Sequence, residues 1–183
     1  MLDWFLNLFK KKPKKKKPLR YSVSPHGLKL IKEFEGYRSH AYLCSAGVWT
    51  IGYGTTYYTD GTKVEPGDII SEDLATHLLK LWIKDNFDPI INVPELLILK
   101  LKQNQIDALA SFVYNVGVNA FKNSTLRKKL IDGESINVVA LEFLKWDKYT
   151  NPKTGKLEAL EGLTRRRKTE FSLFRIIPSK TLN

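Results

Sequence analysis

Leu28, Ile31 and Phe34 recur at helical spacing, and Ser24-Pro25 in front of them reads as an N-cap followed by a proline in the first turn. The same pattern stops at Glu35, because Gly36 suits the left-handed position that closes a helix. The period then changes. Residues 41–44 and 48–53 are short β-prone runs, joined by Ser45, Ala46 and Gly47, which predicts a tight hairpin. In its second strand, alternation puts Trp49, Ile51 and Tyr53 on one face, read as core, and Val48, Thr50 and Gly52 on the other.

Helical spacing returns further on. Ser71 opens a helix with Glu72 and Asp73 in its first turn and an expected apolar stripe of Leu74, Leu78, Leu81 and Trp82. This helix is read as the link between two lobes. Pro89 and Pro94 punctuate the chain after it. A second long helical region covers 95–116, with a break allowed, where Ile106, Leu109, Ala110 and Val113 keep the period. Gly117 and Asn119 read as a turn, and Ser124 starts a helix that ends near Gly133. Helices are then expected over 136–146 and 164–174 around a loop at 151–155, with 178–183 fraying.

The candidate chemistry lies where helix gives way to hairpin. Glu35 is a carboxylate at the negative end of a helix dipole. Partial burial in a cleft disfavours its ionised form in the same way, so a raised pKa is expected, as a proton donor near neutral pH requires. Glu33 points elsewhere on the helix and reads as a solvated acid. Thr50 offers a hydroxyl on the non-aromatic face, and Gly52 and Gly54 leave room for a ligand. His26, His40 and His77 have no ligand spacing among themselves or with Cys44, so no metal is expected, and no cofactor. Arg165, Arg166 and Arg167 read as a solvated helix face with ion pairs rather than a polymer contact.

The run FEG…AYLCSAGVWTIGYG resembles the active-site signature of phage-type lysozymes, glycoside hydrolase family 24. NQIDALASFVYNVGVNAFKNSTLRKKL and GLTRRRKTEFSLF resemble the second and C-terminal blocks of that family, in the same order. The resemblance covers most of the chain after about the first twenty residues. It implies an α+β, lysozyme-like fold: a small β-hairpin lobe and a larger helical lobe, joined by a long helix with a cleft between them. It also implies a muramidase, hydrolysing the β-1,4 bond between N-acetylmuramic acid and N-acetylglucosamine. The family pattern is a catalytic Glu, an Asp nine residues later and a Thr six after that; here those positions are Glu35, Cys44 and Thr50. Glycan strands of peptidoglycan are the implied partner of a monomeric enzyme. It would sit in the host cytoplasm before release to the wall, or travel in the virion.

Two residues depart from that pattern. Thr55 stands where the family often has His, and Cys44 stands where it has Asp. The family resemblance implies inversion, with the middle residue and the Thr placing the attacking water. A thiol can hydrogen-bond weakly to that water, and a thiolate can act as base or nucleophile. Cys44 also reads as a small buried hydrophobe. The working assignment makes Glu35 the general acid, with Cys44 and Thr50 orienting water.

Charge divides the chain unevenly. Of its net +11 over 183 residues, residues 1–20 carry +7, from eight Lys and Arg against Asp3. The domain division is therefore a tail, 1–20, and a catalytic domain, 21–183. Leu2, Trp4, Phe5, Leu6, Leu8 and Phe9 precede a nearly pure lysine run at 10–17, broken by Pro13. The apolar part is too short to span a bilayer, and its charges follow rather than precede it, which argues against a signal peptide. Three readings stand for this tail: contact with an anionic membrane or lipopolysaccharide, nucleic-acid binding, or a solubilising extension. A single Cys excludes an internal disulfide. Besides a hydrolase, the classes left open are a catalytically weak wall-binding module and a membrane-active or nucleic-acid-binding protein led by its tail.

Overall fold

The computed structural model describes residues 20–44, 46–151 and 154–176. All of the tail expected at 1–20 except Arg20, Ser45 of the turn, residues 152–153 of the expected loop and the end at 177–183 lie outside the described residues. Helix α1 (Pro25–Glu35) begins as the sequence predicts: the Ser24 hydroxyl accepts the Gly27 amide at 3.2 Å, and Gly36 closes the helix at φ 70°. Its start is bolted to the core by Asp107, which accepts the Ser24 amide at 2.9 Å and the Ser24 hydroxyl at 2.5 Å. A Cβ on Gly27 would lie 2.6 Å from the Asp107 carboxylate, so only glycine permits that approach.

Strands β1 (Arg38–Leu43) and β2 (Trp49–Gly52) form the hairpin, with Tyr42 opposite Thr50 and Leu43 opposite Trp49. An irregularity between Arg38 and Tyr42 bends the first strand. Tyr53 is buried and Trp49 half-buried, in keeping with a core role. Gly52 has φ 63°, and a Cβ there would meet that of Ala75 at 2.9 Å, which seats the hairpin against the next helix.

That helix, α2 (Glu72–Trp82), is capped by the Ser71 hydroxyl. Its buried face is Ala75, Leu78 and Leu79, rotated from the expected stripe; Leu74 is exposed. The helix also runs past the expected stop at Pro89. A widened π turn, Ile83–Phe87, bonds the Asp88 amide to the Ile83 carbonyl and hands over to α3 (Asp88–Ile91). Proline sits near the start of that new segment, where a missing N–H costs nothing.

The long helical region breaks where the sequence allowed it. Helix α4 (Pro94–Leu97) ends in a turn with Lys100 at φ 50°, and α5 (Gln103–Val116) follows. Residues 105–113 of α5 are all buried, and α1 packs against this helix. Gly117 alone makes the next turn; Asn119 lies inside α6 (Val118–Lys122), because Gly117 at φ 89° already reverses the chain. Helices α7 (Thr125–Ile131) and α8 (Ile136–Leu141) follow, then a 3₁₀ turn at Phe143–Trp146. A second hairpin, β3 (Lys148–Thr150) with β4 (Leu157–Ala159), flanks the predicted loop; three-residue strands carry too little alternation to be seen beforehand. The last helix, α9 (Glu161–Arg175), also packs on α5. Among the described residues, no helix is long and apolar enough to cross a membrane.

Candidate active site

Glu35 closes α1 with its side chain about one-fifth exposed. It is not the isolated carboxylate that the sequence suggests. The Arg166 guanidinium of α9 donates to its Oε1 at 2.6 Å and lies over the Phe34 ring at 5.1 Å. The sequence reading of Glu35 rested on helix end and burial alone and left this cation out.

Arg166 is itself held on every side. Its Nε donates to Glu170 at 3.2 Å and its Nη2 to the Ser111 carbonyl at 2.8 Å. Glu170 also accepts the Ser111 hydroxyl at 2.6 Å and the Arg167 Nη2 at 3.1 Å. Arg167 reaches on to Asn115 at 3.0 Å and covers the Phe112 ring at 4.8 Å. Arg166, Arg167, Glu170 and Ser111 are all buried, so the expected solvated arginine face is overturned for two of its three members; Arg165 alone is exposed. Burial holds the Arg167 guanidinium down at about 10. Burial also pushes the Glu170 carboxyl up, against the pull of Arg167 and Arg166.

The signal for this network was in the sequence. Leu163, Arg166, Arg167, Glu170, Leu173 and Phe174 follow one helical stripe, and the apolar members at its ends mark that stripe as the inward face. Within it, Arg166 and Glu170 are one turn apart, a spacing that brings side chains together. Ser111 carries no such mark; only the packing of α5 on α9 reveals it.

The hairpin brings Cys44 and Thr50 together. Thr50 is buried, donates to the Val48 carbonyl at 3.0 Å, and is a hydrogen-bonding neighbour of the Cys44 thiol. Its one proton can serve only one of the two acceptors at a time. The thiol is partly exposed rather than core. Backbone N–H groups of Val48 and then Ala46 lead in lowering its pKa below the ordinary thiol value, with Thr50 adding a smaller pull. Tyr42, opposite Thr50, shares this face, since directly paired residues point the same way.

Tyr114 of α5 lies between the two halves. Its hydroxyl donates to the Tyr53 carbonyl at 2.6 Å, and its ring meets Trp82 edge-on at 4.6 Å. Burial pushes the Tyr114 phenol upward, and the charge of Glu35 and the nearby Tyr42 push the same way. Glu35 and the Tyr42 side of the hairpin are therefore both within electrostatic reach of one side chain. Among the described residues, no cluster of His, Cys, Asp and Glu is arranged to hold a metal ion.

A hairpin lobe and a helical lobe meeting beside a helix-terminal acid define a lysozyme-like α+β protein. The chain belongs to the phage lysozyme family, whose profile matches residues 32–170, and is a cell-wall hydrolase of that lytic type. It is 41% identical over 156 residues to an endolysin of Acyrthosiphon pisum secondary endosymbiont phage 1, a match covering 83% of this chain and 97% of that one. Among solved structures, the endolysin from Escherichia coli O157:H7 phage FAHEc1 superposes with a TM-score of 0.72 at 34% identity, covering 87% of this chain and 96% of that one. The muramidase domain of SpmX from Asticaccaulis excentricus gives 0.71 at 32% identity, over 86% of this chain and 100% of that domain.

Proposed function

We propose that this protein is a muramidase, cleaving the β-1,4 bond between N-acetylmuramic acid and N-acetylglucosamine with Glu35 as general acid. The observation that carries this reading is the placing of Glu35. It is a partly exposed carboxyl at the end of α1 whose Oε1 accepts from Arg166. A proton carried on Oε2 would pass to the glycosidic oxygen as the bond to the anomeric carbon breaks. Water would attack that carbon from the hairpin side. Cys44 and Thr50 would orient it: Thr50 as an acceptor while its own proton is on Val48, and Cys44 through a hydrogen bond at its sulfur. The names of the relatives support the reaction class, since one is a muramidase domain and two are endolysins.

Replacing the family's Asp by Cys44 favours a second reading, a wall-binding module with weak catalysis. Reducing-sugar release from purified peptidoglycan by wild type and Glu35→Gln separates the two. Release that is lost in Glu35→Gln is the expected outcome. No release by either protein, with wall binding retained, would favour the second reading.

A further inference from the structure

We propose that the groove between segment 54–59 and the end of α2 is a subsite for a neutral N-acetylglucosamine unit of the glycan strand, with Tyr57 as its platform and Asn86 as the acceptor for its acetamido N–H. The ligand class rests on the muramidase reading above; the groove itself is a feature of the fold.

The groove holds about 400 Å³, inside the range of about 300–1,000 Å³ usual for small-molecule sites. Thr55, Tyr57 and Thr59 line one side of it, and Trp82, Asn86 and Tyr114 the other. Tyr114 ties the groove to the candidate active site, because the charge of Glu35 acts on that same side chain. At its other end Tyr57 and Thr56 also border a hollow of about 280 Å³ over Val48 and Trp49, so a strand has room to continue.

The two principal side chains are presented rather than packed. Tyr57 is 55% exposed, yet its backbone is fixed. It bridges Lys63, and on either side of it the Val64 amide donates to the Thr56 carbonyl at 3.0 Å and the Tyr58 amide to the Thr62 carbonyl at 2.8 Å. A large ring on a rigid backbone offers contact area with little freedom left to lose on binding. Asn86 belongs to the π turn, and its Nδ2 donates to the Trp82 carbonyl at 3.0 Å. A carbonyl can only accept, so this bond fixes the orientation of the amide and leaves Oδ1 as the free acceptor. Among the described residues, neither that Oδ1 nor the hydroxyls of Thr55, Thr56, Tyr57 and Thr59 have an internal hydrogen-bond partner. An aromatic face for ring C–H groups, an acceptor for one N–H and hydroxyls for hydroxyls match a pyranose that bears an acetamido group.

Charge selects between the two sugars of the wall. Asp85 lines the groove and no Lys or Arg does, in a chain of net charge +11. An N-acetylmuramic unit carries a lactyl carboxyl or the acidic peptide joined to it, and Asp85 repels either; N-acetylglucosamine is neutral. The two sugars alternate along the strand. A subsite that takes only the neutral one therefore fixes which of the two alternating linkages reaches Glu35.

The test is calorimetric titration of chitotetraose, a neutral N-acetylglucosamine oligomer, into the full chain carrying Glu35→Gln, which leaves the ligand intact. Binding is expected. In that background Tyr57→Ala and Asn86→Ala should each weaken it about three- to tenfold, while Tyr57→Phe, which keeps the ring, should lose far less. On otherwise wild-type protein, Tyr57→Ala and Asn86→Ala should raise KM for soluble glycan strands by the same factor and leave kcat unchanged, because the subsite binds ground state and transition state alike. Unchanged urea midpoints would show that the variants fold. Three outcomes would overturn the proposal: no binding at millimolar chitotetraose, binding that neither Tyr57→Ala nor Asn86→Ala weakens, or displacement of chitotetraose by a free acidic stem peptide. Failure of the muramidase reading looks different: the wild type would release no sugar, yet chitotetraose would still bind through Tyr57 and Asn86, which supports the subsite.

Discussion

Glu35 and Cys44 are nine residues apart in the chain, yet they are fixed in different ways. Glu35 is held by Arg166, 131 residues away, and Arg166 in turn by Ser111 and Glu170 in a buried interface between α5 and α9. Cys44 is held by its own turn: its amide donates to the Val48 carbonyl at 3.0 Å, its carbonyl accepts the Gly47 amide at 2.9 Å, and the nearest donors to its sulfur belong to residues 46–50. One half of the site depends on the whole helical lobe being assembled, and the other needs only a hairpin. Damage to the first half should therefore unfold as well as inactivate, and damage to the second should change chemistry with little cost in stability.

The strongest break in this comparison is Arg166→Met. It leaves Glu35 without its cation and Glu170 with one arginine in place of two, a buried imbalance worth about 3–5 kcal/mol. Urea denaturation should register that loss. Sugar release should fall about a hundredfold even where the variant remains folded, because the acid is no longer aimed. Retention of stability within about 0.5 kcal/mol would mean that the network is not what holds α9 to α5. Ser111→Ala is gentler. It deletes a hydrogen bond to a charged carboxylate without touching Glu35, so about 1.5–3 kcal/mol of stability should go while the rate at saturating substrate changes little.

The same contrast explains what could be read beforehand. Caps and turns are local, so Ser24, Ser71, Ser124, Gly36 and the hairpin at 45–47 were legible, and with them the positions of Glu35, Cys44 and Thr50. The buried charges were not, because Arg and Glu side chains are almost always solvated and a run of three arginines reads as surface. Their interior position follows from tertiary pairing, which sequence spacing hints at only through the stripe from Leu163 to Phe174. The passage through Pro89 was hidden for a related reason: a π turn exchanges one hydrogen-bond register for another, and no residue type signals it.

On the hairpin side the expected effects are smaller. Cys44→Ser keeps a small hydrogen-bonding group beside Thr50, so stability should move by no more than about 0.5 kcal/mol. If the residue only orients water, most of the hydrolysis should survive. A collapse of activity in the serine variant, which lacks an accessible anion, would instead point to a required thiolate.

The finest test reads that ionisation directly. Iodoacetamide reacts with thiolate, so its rate against pH traces the Cys44 titration. The sulfur faces N–H groups of Val48 and Ala46 that stabilise the anion, so the midpoint should lie below that of an ordinary thiol. Thr50→Val removes the smaller hydroxyl contribution and leaves both backbone donors, so the midpoint should rise only partway back. A full return to the ordinary value would make Thr50 the principal donor, and the local turn would no longer be what sets this half of the site. An unchanged midpoint would mean that the Thr50 proton stays on the Val48 carbonyl, where the structure shows it at 3.0 Å, and that the two side chains act on water separately rather than through each other.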